Sequence, residues 1–273
     1  MNGKEKGSSV KTVPVKVGPW TIGGEKFTII AGPCSIESYE HFLETAQAVK
    51  QRGAAMLRGG LFKLRTHPDS FQGLEAEGLD LAKRVLQEVQ LPFFSEVTDP
   101  RQIGDLMDVV DVFQVGSRNM YNYSLLKELG QVSKPVLLKR SFSGTIKEWL
   151  LAAEYIAKAG NSQIILCERG IRTFETATRN TFDINAIAFI KQNSPFPILA
   201  DPSHGTGKRS LVTPVALAAT AAGADGLLLE VHPQPDQALS DGYQTLNFDE
   251  FENLVEKTKK LLPLLGRQLQ EPL

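Results

Sequence analysis

Four residues far apart in the chain carry the donor types of a divalent-metal site. Cys34, His204, Glu230 and Asp241 supply one thiol, one imidazole and two carboxylates. Mixed sulfur, nitrogen and oxygen donors suit first-row divalent ions, and such a set can leave a position open for substrate or water. No tight motif such as C-x-x-C accompanies them, so a packed cysteine and a structural aspartate stand as the alternative. A second set is cationic: Arg58, Lys63, Arg65, Arg118, Lys139, Arg140, Arg169 and Arg172 each end or closely follow a short apolar run. Singly, each could mark only where a strand meets solvent. Together on one rim they would concentrate a field attractive to small anions. Arginine forks match phosphate and carboxylate oxygens in pairs, whereas a lysine acts as a point charge or proton donor.

Both sets need a scaffold that gathers distant segments. Short apolar runs at Phe27 to Ala31, Ala54 to Arg58, Pro92 to Glu96, Val112 to Val115, Val136 to Lys139, Gln163 to Cys167, Pro197 to Ala200 and Gly226 to Glu230 read as buried parallel strands. Segments of helical periodicity, among them Tyr39 to Gln51, Leu74 to Val89, Ile146 to Ala159 and Val212 to Ala222, lie between them. Eight such units predict an α/β fold, a single (β/α)8 TIM barrel, with a doubly wound open sheet as the rival. Every strand leads into chemistry-capable residues, and in a barrel those exits share one face. Ahead of the first strand, alternation across Val13 to Glu25 around Gly18-Pro19 predicts a short β-hairpin capping the barrel floor. The expected organisation is residues 1–26 as N-terminal extension and hairpin and 27–273 as catalytic barrel.

The bulk properties agree with one soluble core. The 273 residues are 42% hydrophobic and 22% charged, ordinary for a globular protein. Lys and Arg number 30 against 31 Asp and Glu, which argues against a surface tuned to nucleic acid or to anionic membrane. Two cysteines make no disulfide framework, and neither a signal region nor a membrane-length apolar run is apparent, so a cytoplasmic protein is expected.

Ordered motifs from about Phe27 to Phe248 carry a resemblance: Gly32-Pro33-Cys34-Ser35, Lys63-Leu64-Arg65-Thr66, Ser70-Phe71-Gln72-Gly73, Ser95-Glu96-Val97, Gly116-Ser117-Arg118, Leu138-Lys139-Arg140, Cys167-Glu168-Arg169-Gly170, Asp201-Pro202-Ser203-His204-Gly205 and Glu230-Val231-His232-Pro233. Together they resemble the short microbial type (type I beta) of 3-deoxy-D-arabino-heptulosonate 7-phosphate (DAHP) synthase, a relative of 3-deoxy-D-manno-octulosonate 8-phosphate (KDO8P) synthase. The resemblance implies that Cys34, His204, Glu230 and Asp241 bind one divalent metal ion, Mn, Fe, Co, Zn or similar. It implies that Arg58, Lys63, Glu96, Ser117, Arg118, Lys139 and Arg169 surround phosphoenolpyruvate, that Arg65 and Thr66 hold erythrose 4-phosphate, and that Cys34, Lys63, Lys139 and His204 serve catalysis. The implied reaction is an aldol-type condensation: the enol carbon attacks a polarised aldehyde, water adds at the second carbon of phosphoenolpyruvate, and phosphate leaves by C–O cleavage. It opens the shikimate pathway, towards aromatic amino acids. The family further implies a homo-oligomer, dimer or tetramer.

Where the family has proline and serine, this chain has Leu64 and His67, which frees a backbone torsion in the aldose-phosphate loop. The alternative is therefore a KDO8P-type or other sugar-acid synthase using a different phosphorylated aldose, although Thr66 and Asp201-Pro202-Ser203-His204 favour the heptulosonate side. With 26 residues ahead of the first strand and a short tail, insensitivity to phenylalanine and tyrosine is expected unless a partner protein supplies control. His67 reads as a solvated loop residue, His41 as a helix-surface residue, Asp99-Pro100 as a helix start, and Cys167, Trp20 and Trp149 as packed residues.

Overall fold

The computed structural model describes residues 10–64, 67, 69 and 71–273. Two short strands, β1 (Val15–Val17) and β2 (Trp20–Ile22), pair antiparallel across the Gly18-Pro19 turn, with Val17 opposite Trp20. The alternation in the sequence becomes a buried face of Val15, Val17, Trp20 and Ile22. Gly18 approaches Pro92, Gly23 approaches Pro197, and the Trp20 indole donates to the Glu271 carbonyl at 3.0 Å. Both prolines precede barrel strands, so the hairpin seals the amino-terminal end of the barrel.

Eight parallel strands follow: β3 (Lys26–Gly32), β4 (Met56–Arg58), β5 (Phe93–Val97), β6 (Val112–Val115), β7 (Val136–Lys139), β8 (Ile164–Glu168), β9 (Ile198–Ala200) and β10 (Gly226–Glu230). Each pairs with the next, and β10 pairs with β3 in the register Glu230 opposite Gly32, so the sheet closes into a barrel. A short strand, β11 (Gln268–Leu269), adds to the start of β3. The continuous apolar runs are explained by burial on both faces, against the barrel interior and the helical layer.

The helices among the described residues are α1 (Tyr39–Gln51), α2 (Glu75–Val89), α3 (Ile103–Leu106), α4 (Tyr123–Leu129), α5 (Ile146–Lys158), α6 (Ile184–Asn193), α7 (Pro202–Thr206), α8 (Arg209–Ala221) and α9 (Phe248–Leu261). Local chemistry sets their starts. Thr145 and Asn247 form capping boxes with Glu148 and Glu250, and Ser38, Asn122 and Asp183 cap with their side chains. Asp99 caps the short 3-10 turn at Pro100–Gln102, and Trp20, Trp149 and Cys167 are packed in the interior. No helix among the described residues is long and apolar enough to cross a membrane.

Candidate active site

The strand exits meet at the carboxyl end of the barrel. Cys34 follows β3, where Gly32 is required because a Cβ there would lie 2.0 Å from the Arg58 carbonyl oxygen. Glu230 ends β10, and the β10–β3 pairing sets it beside the Cys34 segment. His204 sits in α7, a five-residue helix capped by the Asp201 carboxylate at the His204 amide, 3.0 Å away. Asp241 lies beyond β10 in left-handed backbone, φ 54° and ψ 28°. One ligand atom from each of Cys34, His204, Glu230 and Asp241 can be chosen so that all four lie within 4.8 Å of one another.

These donors fit a divalent cation. Asp201 Oδ2 is 2.8 Å from His204 Nδ1. Burial opposes the charge on Asp201, but His204 and Lys139 hold its carboxyl well below the usual range. The proton between them therefore rests on Nδ1, the orientation that leaves Nε2 free to ligate. Nε2 then faces Glu230 Oε1 at 3.3 Å, acceptor against acceptor, a contact that a cation between them would relieve. Burial pushes the Cys34 thiol up to about 12, with Glu230 adding to the rise and Lys63 opposing it. A bound cation would reverse that preference for the protonated form.

Cations surround the donors. Arg58 donates from Nη1 to Glu230 Oε1 at 2.7 Å, and Lys63 Nζ lies 2.7 Å from Cys34 Sγ and 2.9 Å from its carbonyl oxygen. Burial works against the Lys63 ammonium, but Cys34 and Glu230 outweigh it and raise its pKa. Gln244 donates to Glu230 Oε2 at 2.5 Å, and Arg179 donates to Gln244 at 2.8 Å while standing 3.6 Å from Asp241. Beside this cluster opens a cavity of about 270 Å³ lined by Lys63, Glu96, Ser117, Arg118, Lys139, Phe142, Arg169, Arg179, His204 and Asp241. Lys139 is anchored by Asp201 Oδ2 at 2.6 Å, the same oxygen that meets His204. Three guanidinium groups stand over the Phe142 ring, Arg172 at 4.7 Å, Arg169 at 5.3 Å and Arg118 at 5.8 Å from its centroid. Gly116 admits the Glu96 carboxylate, whose Oε1 would lie 2.0 Å from any Cβ there.

Comparison with known proteins fixes the lineage. Residues 12–265 match the model of the DAHP synthetase I family. The chain belongs to that family. It is 49% identical over 252 residues to the phospho-2-dehydro-3-deoxyheptonate aldolase of Thermotoga maritima, an alignment covering 92% of this chain and 75% of that protein. A crystal structure of the Thermotoga maritima DAHP synthase superposes with a TM-score of 0.92 at 48% identity, covering 95% of this chain and 76% of that one. A truncated form of the Thermotoga maritima enzyme gives 0.89 at 45% identity, covering 95% of each chain. The 2-dehydro-3-deoxyphosphooctonate aldolase of Magnetococcus marinus is 32% identical over 253 residues, covering 86% of this chain and 87% of that protein.

Within this DAHP synthetase family member, the residues singled out in the sequence divide into groups. The four donors come together, and Lys63, Glu96, Ser117, Arg118, Lys139 and Arg169 line the cavity. Arg58 is buried at the donor cluster, its Nε without a hydrogen-bond partner. Arg65 and Thr66 lie outside the described residues. Arg140 turns from the cavity to Glu168 and Asp183, at 3.0 and 2.8 Å, and is structural. His67 is exposed yet borders the cavity. Arg179, Gln244 and Phe142 were not anticipated. Arg179 sits in a loop and Gln244 in a three-residue 3-10 turn, neither with a periodicity to mark it, and Phe142 had no polar group. The Asp201 link from Lys139 to His204 could have been suspected from a carboxylate at a strand exit.

Proposed function

We infer that this chain condenses phosphoenolpyruvate with D-erythrose 4-phosphate and water, giving 3-deoxy-D-arabino-heptulosonate 7-phosphate and inorganic phosphate, the first step of the shikimate pathway. The observation that carries the reading is one continuous site in a member of this family: a sulfur, nitrogen and carboxylate cluster opens directly onto a cationic cavity at the barrel mouth. Residues 27–273 act as the catalytic unit, with the hairpin of Val15–Ile22 at the opposite end.

Cys34, His204, Glu230 and Asp241 would hold a divalent ion, and Mn, Fe, Co or Zn each suits the mixed donors. What such an ion supplies is polarisation of the aldehyde carbonyl as negative charge develops on its oxygen. Arg118, Arg169 and Ser117 grip the phosphoenolpyruvate anion, and Arg58, anchored by Glu230 at 2.7 Å, adds positive charge behind them. Holding both anions in register converts a bimolecular encounter into a positioned one. Lys63 or Lys139 moves the proton, with Lys139 tied through Asp201 to His204. Arg65 and Thr66 hold the aldose phosphate. The enzyme works in the cytoplasm as a dimer or tetramer.

The test supplies the purified chain with phosphoenolpyruvate, Mn2+ and a panel of phosphorylated aldoses. Heptulosonate phosphate and inorganic phosphate should form one for one with erythrose 4-phosphate, stop after chelation and resume on adding Mn2+. Turnover with arabinose 5-phosphate alone would move the chain to the octulosonate reaction, the one named for the 32% identical Magnetococcus marinus protein.

A further inference from the structure

Outside the cavity, Glu37, His41 and His232 also bring ligand atoms within 4.8 Å of one another. The hydrogen bonding argues against a second metal there. The Gln234 amide donates to His232 Nδ1 at 3.1 Å, so the ring proton lies on Nε2, which is buried without a hydrogen-bond partner 3.5 Å from Glu37 Oε2. A ligating imidazole needs the reverse, with its second nitrogen donating. Glu37 is therefore an acceptor facing donors, and its other oxygen takes the Leu239 amide at 2.8 Å.

That amide is two residues from Asp241, whose left-handed backbone persists only when its surroundings hold it. A second contact acts alongside, Ser35 Oγ to Ser240 Oγ at 2.7 Å. Both tie the Asp241 segment to the residues just past Cys34, and the Cys34 Sγ to Asp241 Oδ2 distance is 3.4 Å. We propose that Glu37 is a positioning residue, a clasp that holds the Leu239–Asp241 segment against the Cys34 segment so that thiol and carboxylate meet one divalent ion. The clasp rests on the metal reading of Cys34, His204, Glu230 and Asp241.

The experiment titrates Co2+ into the metal-free full-length chain without substrates, against a competing chelator, following the thiolate-to-cobalt charge-transfer absorption. Glu37→Ala should weaken Co2+ binding about 10- to 100-fold, the usual range for an outer partner of a metal ligand. Glu37→Gln should recover part of the loss, because its amide oxygen still accepts from Leu239 although its NH2 then faces the His232 Nε2–H. In an Asp241→Ala background Glu37→Ala should add nothing, since the ligand it acts through is gone. Wild-type affinity in folded Glu37→Ala overturns the clasp, as do losses that simply add. Should Glu37→Ala fail to fold, Ser35→Ala reports in its place: a several-fold loss absent from the Asp241→Ala background supports the clasp, and no loss overturns it. A wild-type chain that takes up no Co2+ overturns the metal reading and the clasp together, whereas one that binds a single Co2+ as tightly as Glu37→Ala does overturns the clasp alone.

Discussion

The two ends of the barrel close the same eight strands by opposite means. At the floor, the hairpin presents Val15, Val17, Trp20 and Ile22 to the core, and its polar links run through backbone groups such as the Glu271 carbonyl. At the mouth, charge is buried in pairs: Arg58 with Glu230 and Lys139 with Asp201, each side chain at most 5% exposed. Buried ion pairs return little net stability once desolvation is counted, whereas apolar burial returns roughly 25 cal/mol per Å2. The floor therefore serves the fold and the mouth serves chemistry.

The sharpest challenge to that division is Arg58→Met, a mouth change that should cost stability. Removing the guanidinium leaves Glu230 buried with one fewer countercharge, and the expected loss is about 3–5 kcal/mol in metal-free protein. Urea unfolding with and without Mn2+ checks it, since a bound cation should shrink the loss. Trp20→Ala at the floor comes next, about 3 kcal/mol off the unfolding free energy from the emptied volume, with turnover per folded molecule unchanged. A fallen kcat in that variant would show that the ends are coupled. Cys34→Ser should leave thermal unfolding of the metal-free chain near wild type while lowering metal-dependent activity about 100-fold, some 2.7 kcal/mol of transition-state stabilisation. Unchanged metal dependence would remove Cys34 from the ligand set. The smallest effect belongs to Cys167→Ala. That thiol is fully buried and outside the four-donor cluster, so about 1 kcal/mol of stability should go with no change in Co2+ affinity.

What the sequence disclosed follows the same division. Strands stood out because buried parallel strands are unbroken apolar runs, and Val112–Val115, Val136–Lys139 and Gly226–Glu230 match their expected limits. The start of α8 was set too late, at Val212, since its first turn is the polar Arg209-Ser210 and Lys208 caps it without a side-chain bond. At the mouth, Cys34 and Glu230 were marked by their places at strand ends. Asp241 occupies an irregular turn whose position depends on contacts with Glu37 and Ser35, which no local pattern encodes. Arg140 shows the converse, a cation at a strand exit whose partners, Glu168 and Asp183, only the folded chain makes known.

The closing pairing of β10 with β3 joins the last barrel strand to the first. Cys34 and Glu230 become neighbours only when that seam zips, so a partly folded chain lacking it has no ligand pair to offer. An ion held by the proposed ligand set would therefore favour the sealed barrel over any form with the seam open, by mass action.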